Sequence, residues 1–156
     1  RKIELFMPTP KKKERKDEEI LEFPVVENFS PEVPIQVLGS LGEEEIKVVA
    51  TVDTGATGFL QIPIAVGMKA NLRLLSMGNF IMADGRKVKK LQCIGRIRFA
   101  GKELTGIISL SETSDDCLLG MQFLEKLGMD FTVSPSKKRA RFQTIKEQLE
   151  SGNSNE

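Results

Sequence analysis

Between Val33 and Val52, apolar side chains recur at every second position on both sides of one short break. Val33, Ile35 and Val37 precede Gly39-Ser40-Leu41-Gly42, and Ile46, Val48, Ala50 and Val52 follow it. A period of two places successive side chains on opposite faces of a strand, so this stretch predicts a β-hairpin with one buried face. A second hairpin is predicted by Phe80-Ile81-Met82-Ala83 and the run Val88 to Ile94, because Asp84-Gly85 between them tolerates the positive φ angles of a tight turn. Further strands are expected over Gly95 to Phe99 and Glu103 to Leu110, separated by Ala100-Gly101-Lys102. The one clear helical pattern is Met121 to Leu127, where Met121, Phe123, Leu124 and Leu127 share a face before Gly128 stops the run. Ser134-Pro135-Ser136-Lys137 then turns the chain into a last strand near Arg139 to Phe142. The expected fold is all-β: a small, mainly antiparallel barrel with one short C-terminal helix and no internal repeat.

At 156 residues the chain can bury one core, while a second domain would be starved of apolar surface. Residues 1–22 carry the mixed-charge run Lys11 to Glu19 without apolar alternation and read as a charged tail. Residues 144–156, ending in Ser151-Gly152-Asn153-Ser154-Asn155-Glu156, read as a flexible tail, leaving 23–143 as the folded domain. Lys and Arg total 23 against 22 for Asp and Glu. The resulting charge of +1 creates no global field for nucleic acid or an anionic membrane. No run reaches the roughly 18 to 20 apolar residues that cross a bilayer, so the expectation is a soluble cytoplasmic protein with neither membrane nor nucleic acid as partner.

The two cysteines, Cys93 and Cys117, lie in apolar neighbourhoods and read as buried thiols. The chain has no histidine. That excludes Ser-His-Asp and Cys-His catalysis, the usual zinc-hydrolase ligand sets and histidine as a general base. Hydrolytic chemistry would have to run on carboxylates, lysines or a bound cofactor, and no metal or cofactor is expected.

One carboxylate stands in a suggestive setting. Asp53-Thr54-Gly55 follows the β-branched run that ends at Val52: the Asp supplies a carboxylate, the Thr hydroxyl can brace the loop, and the Gly lets backbone approach closely. After it come Ala56-Thr57-Gly58-Phe59-Leu60-Gln61-Ile62-Pro63, read as a strand leading to a proline stop, then the second hairpin, then Cys117-Leu118-Leu119-Gly120-Met121 entering the helix. In this order of features, over about 33 to 142, the sequence resembles the retropepsin-like family of single-domain aspartic proteases.

The resemblance implies an aspartic endopeptidase of the acid-protease barrel type. Asp53 would be catalytic, Thr54 and Gly55 would form the bracing loop, and Ala56 and the flap tip Ala83-Asp84-Gly85 would meet a peptide substrate. Leu118, Leu119 and Gly120 match the segment packed under the active-site loop. The chain holds no second Asp-Thr-Gly or Asp-Ser-Gly, so the resemblance implies a homodimer that pairs two copies of Asp53. Two carboxylates about 3 Å apart cannot both stay ionised, so they share one proton; one can then activate water while the other donates to the scissile carbonyl. Ala56 cannot donate a hydrogen bond to the carboxylate as a serine could, which implies a less acidic activity optimum. Met77 and Met82 are candidates to line an apolar cleft. The flap has no Tyr or Trp to offer a side-chain hydrogen bond, since the chain contains neither. Two alternatives stay open: a catalytically weak retropepsin-like module for dimerisation or peptide binding, and a β-barrel adaptor using the Lys11 to Lys16 run.

Overall fold

The computed structural model describes residues 18–25, 30–42 and 44–145. The Lys11 to Lys16 run and the stretch from 146 onward lie outside the described residues. In chain order the elements are β1 (Ile20–Pro24), β2 (Glu32–Leu38), β3 (Glu45–Val52), β4 (Leu60–Pro63), α1 (Ile64–Lys69), β5 (Arg73–Ile81), β6 (Lys87–Phe99), β7 (Lys102–Ser111), β8 (Cys117–Leu119), α2 (Met121–Leu127), β9 (Met129–Ser134) and β10 (Arg139–Thr144). They group into two compact units, Glu32–Lys126 and one drawn from both ends of the chain.

The Glu32–Lys126 unit holds a seven-stranded sheet in the order β2-β3-β8-β4-β7-β6-β5. It closes on itself because β2 also pairs antiparallel with β6, Val37 standing opposite Ile97. Arg98 crosses that seam, its Nη1 donating to Glu45 Oε1 at 2.5 Å and to Gln36 Oε1 at 3.3 Å. A sheet closed this way hides its edges, and only β5 remains outside the ring. Most pairings are antiparallel; the exceptions are β3 with β8 and β4 with β7.

The expected alternation is realised in β2, where Val33, Ile35 and Val37 are buried and Pro34 is exposed. The core of this unit gathers Phe59, Ile62, Phe99, Ile97, Ile108, Leu119 and Phe123, all at most 1% exposed. Phe123 meets Phe99 edge-on, with ring centroids 5.4 Å apart and planes at 85°. Such a pair adds roughly 1 kcal/mol to what burial alone contributes.

Several elements differ from the sequence reading. The strands expected on either side of Gly95 are one continuous strand, β6. Gly95 passes through it unbroken because Ile108 Cδ1 occupies the space of its missing Cβ, 2.5 Å from where that atom would stand. Pro63 does end β4, but a second short helix, α1, starts immediately after it. Its buried Gly67 lies against Leu110, whose Cδ2 comes within 2.6 Å of the ideal Cβ position. The first arm of the second hairpin begins at Arg73, and a register shift between Leu74 and Ser76 removes the alternation by which a strand is recognised.

The unit drawn from both chain ends is a three-stranded antiparallel sheet, β1-β10-β9. Ile20 to Glu22 stand in β1, with Leu21 opposite Phe142 and Phe23 opposite Ala140. Leu21, Ala140 and Phe142 are fully buried there, and the Phe23 ring meets that of Phe142 edge-on at 5.8 Å. Glu22 accepts from Arg141 Nη2 at 2.8 Å. No described helix is long and apolar enough to cross a membrane.

Candidate active site

The site begins where β3 runs out. Val52 is buried and paired with Leu119 of the parallel strand β8. The next amide, that of Asp53, donates to the Leu119 carbonyl at 2.8 Å. The chain then turns, with the Ala56 amide donating to the Asp53 carbonyl at 3.1 Å. Inside the turn the Gly55 amide donates to Asp53 Oδ1 at 2.9 Å, the local carboxylate-to-backbone bond that Asp makes two residues on. Asp53 is half-buried, while Thr54 and Gly55 are exposed.

Beneath this loop, the backbone entering α2 supplies donors that a helix start leaves unpaired. The Gly120 amide donates to Phe59 O at 3.2 Å, Met121 to Ala56 O at 2.8 Å, and Gln122 to Gly58 O at 3.1 Å. Gly120 is required by this contact: a Cβ there would stand 2.3 Å from the Gly58 oxygen and 2.8 Å from that of Ala56. The Leu118-Leu119-Gly120 segment therefore underpins the Asp53 loop.

Above it lies the tip of the β5–β6 hairpin. The Met82 amide donates to Arg86 O at 2.8 Å and the Gly85 amide to Met82 O at 2.9 Å, with Gly85 at φ +82°. Asp84 turns along the tip, accepting from Arg86 Nε at 2.5 Å and from the Arg86 amide at 3.1 Å. Loop and hairpin enclose a cleft of about 550 Å³. Asp53, Gly55, Ala56 and Gly58 line it on the loop side, and Phe80, Ile81, Met82 and Ala83 on the hairpin side. Of the residues singled out in the sequence, Asp53, Gly55, Ala56, Met82, Ala83, Leu118 and Gly120 thus meet in one space. Thr54, Asp84 and Gly85 do not line it, nor does Met77, which is 61% exposed.

Sequence reasoning missed Lys90 on β6, Gln61 on β4 and Gln92 beside Lys90 on the cleft wall. Lys90 Nζ donates to Gln61 Oε1 and lies 5.2 Å from the centroid of the Phe80 ring. Burial pushes the Lys90 ammonium below its usual range. In the sequence Lys90 stands in the hairpin arm Val88 to Ile94, where nothing sets it apart from its neighbours Lys87 and Lys89. Cys93 and Cys117 are buried free thiols, and burial pushes both upward; for Cys117 the Asp116 charge adds to the effect.

The architecture has counterparts among solved structures. The crystal structure of a retropepsin-like aspartic protease from Rickettsia conorii matches with a TM-score of 0.61 over 85% of this chain and 97% of its own, at 16% identity. The fold is retropepsin-like. The solution structure of the simian foamy virus (mac) protease matches less well, with a TM-score of 0.44 over 62% of this chain and 93% of its own, at 17% identity. No family model and no curated protein matches the sequence. Within the retropepsin-like fold the closed sheet supplies the strand end that carries Asp53 and the hairpin that covers it.

Proposed function

We propose that the protein is an aspartic endopeptidase whose working form is a two-fold homodimer, each copy contributing Asp53 to a carboxylate pair. The observation that carries this reading is the setting of Asp53, half-buried in a covered cleft with its amide tied to Leu119 and one carboxylate oxygen held by Gly55. It is the only carboxylate among the described residues that line the cleft, and the sequence has no second Asp-Thr-Gly or Asp-Ser-Gly, so this reading assigns the second carboxylate to another copy.

In the pair, the ionised Asp53 takes a proton from a water positioned between the two carboxyl groups, and the protonated Asp53 donates to the scissile carbonyl oxygen. A proton then passes to the leaving amine. Thr54 and Gly55 hold the loop in shape, and Ala56 borders the peptide. On the hairpin tip, the Met82, Gly85 and Arg86 amides are engaged within the turn. The Ala83 amide, on the cleft wall, is left to pair with an extended peptide, as an added strand would.

The test is cleavage of a mixed peptide library between about pH 4 and 7 by wild type and by Asp53→Asn, with pepstatin in parallel. Cutting by wild type alone, blocked by pepstatin, is the expected result. Two inert but folded preparations would replace the reading with a peptide-binding module, and equal cutting by both would remove Asp53 from the chemistry.

A further inference from the structure

Among the described residues that line the cleft, Lys90 is the one cation and Asp53 the one carboxylate. Its position is built rather than incidental. Lys90 pairs with Gly78 in the β5–β6 ladder and Val88 with Phe80, so the ammonium reaches the Phe80 ring along the diagonal that joins neighbours on one sheet face. Its hydrogen-bond partner, Gln61 Oε1, is a neutral acceptor from the opposite wall. No described carboxylate forms an ion pair with it, whereas Arg86, Arg96, Arg98, Arg139 and Arg141 each have one.

An ammonium held by an amide oxygen and an aromatic face, and partly stripped of water, keeps unused capacity for an anion. The polar groups beside it extend the same surface: Gln92 packs over Gly78, where a Cβ would stand 2.6 Å from its amide, and accepts from the Ser76 hydroxyl at 3.2 Å. The other hairpin side chains that line it, Ile81, Met82 and Ala83, are apolar and offer an acidic group no side-chain partner.

We propose that Lys90 is a specificity-determining residue, and that the Lys90-Gln61-Phe80 pocket selects peptides carrying a glutamate or aspartate side chain at the position it contacts. This rests on the endopeptidase reading of the same cleft. The carboxylate would bridge to Nζ while the aliphatic part of the acidic side chain lies against Phe80. The ion pair forms only while the substrate carboxyl is ionised, so selectivity belongs to the pH range above that group's titration near 4.3.

The experiment compares kcat/KM for matched peptides differing only in Glu against Gln, scanned through the positions flanking a cleaved bond, for wild type, Lys90→Gln, Lys90→Arg and Lys90→Glu. Wild type is expected to favour Glu at one position by about tenfold, as a partly desolvated charge-assisted contact permits. Lys90→Arg should keep the preference, Lys90→Gln abolish it and Lys90→Glu reverse it. The wild-type ratio should shrink at 0.5 M salt, where screening reaches about 4 Å. A strut that merely holds the hairpin would lower both rates without moving the ratio. Equal rates for Glu and Gln peptides, or a preference that survives Lys90→Gln, overturn the proposal. The same peptide pairs are also titrated against folded Asp53→Asn by fluorescence anisotropy. A Glu preference there that requires Lys90 upholds the pocket even if no peptide is cut, and its absence overturns the pocket even if cutting occurs.

Discussion

The amide of Asp53 and the carbonyl of Leu119 are joined by a hydrogen bond of 2.8 Å, and this bond continues the parallel β3–β8 ladder by one residue beyond Val52. The carboxylate thus inherits the rigidity of a sheet although it sits in a loop. Gly120, the residue after Leu119, leaves room for the Ala56 and Gly58 carbonyl oxygens further along the same loop.

Substituting Gly120 by alanine places a methyl group against the Gly58 and Ala56 carbonyl oxygens, which no rotamer change relieves. We expect a loss of about 3 kcal/mol in urea unfolding, at the upper end of ordinary overpacking. Activity should fall further than the folded fraction does, because the Asp53 loop moves with the clash.

Subunit mixing tests the proposed dimer directly. If two copies of Asp53 are needed, inactive Asp53→Asn chains poison wild-type chains with which they pair. With equal amounts of each, activity per wild-type chain is expected to fall to about half, since only homodimers of wild type are complete. Activity that stays proportional to wild-type concentration would mean that one copy suffices.

At the hairpin tip, Gly85 holds φ at +82° with open space around its Cα. Gly85→Ala is therefore a backbone perturbation without a clash, expected to cost about 1 kcal/mol. Its larger effect should be on KM, because the nearby Ala83 amide is the one proposed to meet substrate.

The pH profile carries two expectations. With alanine at position 56, maximal cleavage should lie above about pH 3.5, and Ala56→Ser should shift the optimum toward acid by favouring the charged carboxylate. At the alkaline end, burial raises the folded-state Cys93 and Cys117 thiols above their unfolded values. The folded chain therefore holds those protons more tightly, so this contribution to stability is complete below the unfolded thiol range and is lost as pH rises through the folded one. Since the thiolate is the reactive form, both cysteines should resist iodoacetamide at neutral pH until the protein is unfolded.

Where burial is one-sided and continuous, as in β2, the sequence pattern was a faithful guide to the structure, and Asp84-Gly85 marked the turn between the exposed arms β5 and β6. The end of α2 followed from Gly128, which stands at φ +66° directly after the helix. Local pattern failed where tertiary contacts decide: the bulge at Leu74, the passage of Gly95 through β6 against Ile108, and six-residue α1 seated on Leu110. Asp53, Gly55 and Ala56 were legible in the candidate site because they form one contiguous turn. Lys90 was not, since its meaning comes from Gln61 on another strand, and a lysine run looks the same whether its last member faces water or a cleft.

The underpinning of Asp53 by Leu119 and Gly120 also fixes when the site can exist. Those two residues leave the ribosome long after Asp53, so a partly synthesised chain carries the carboxylate on an unanchored loop. Long-range pairing of this kind forms late. On the proposed endopeptidase reading, such a chain cannot cut its neighbours, or itself, until its synthesis has passed α2.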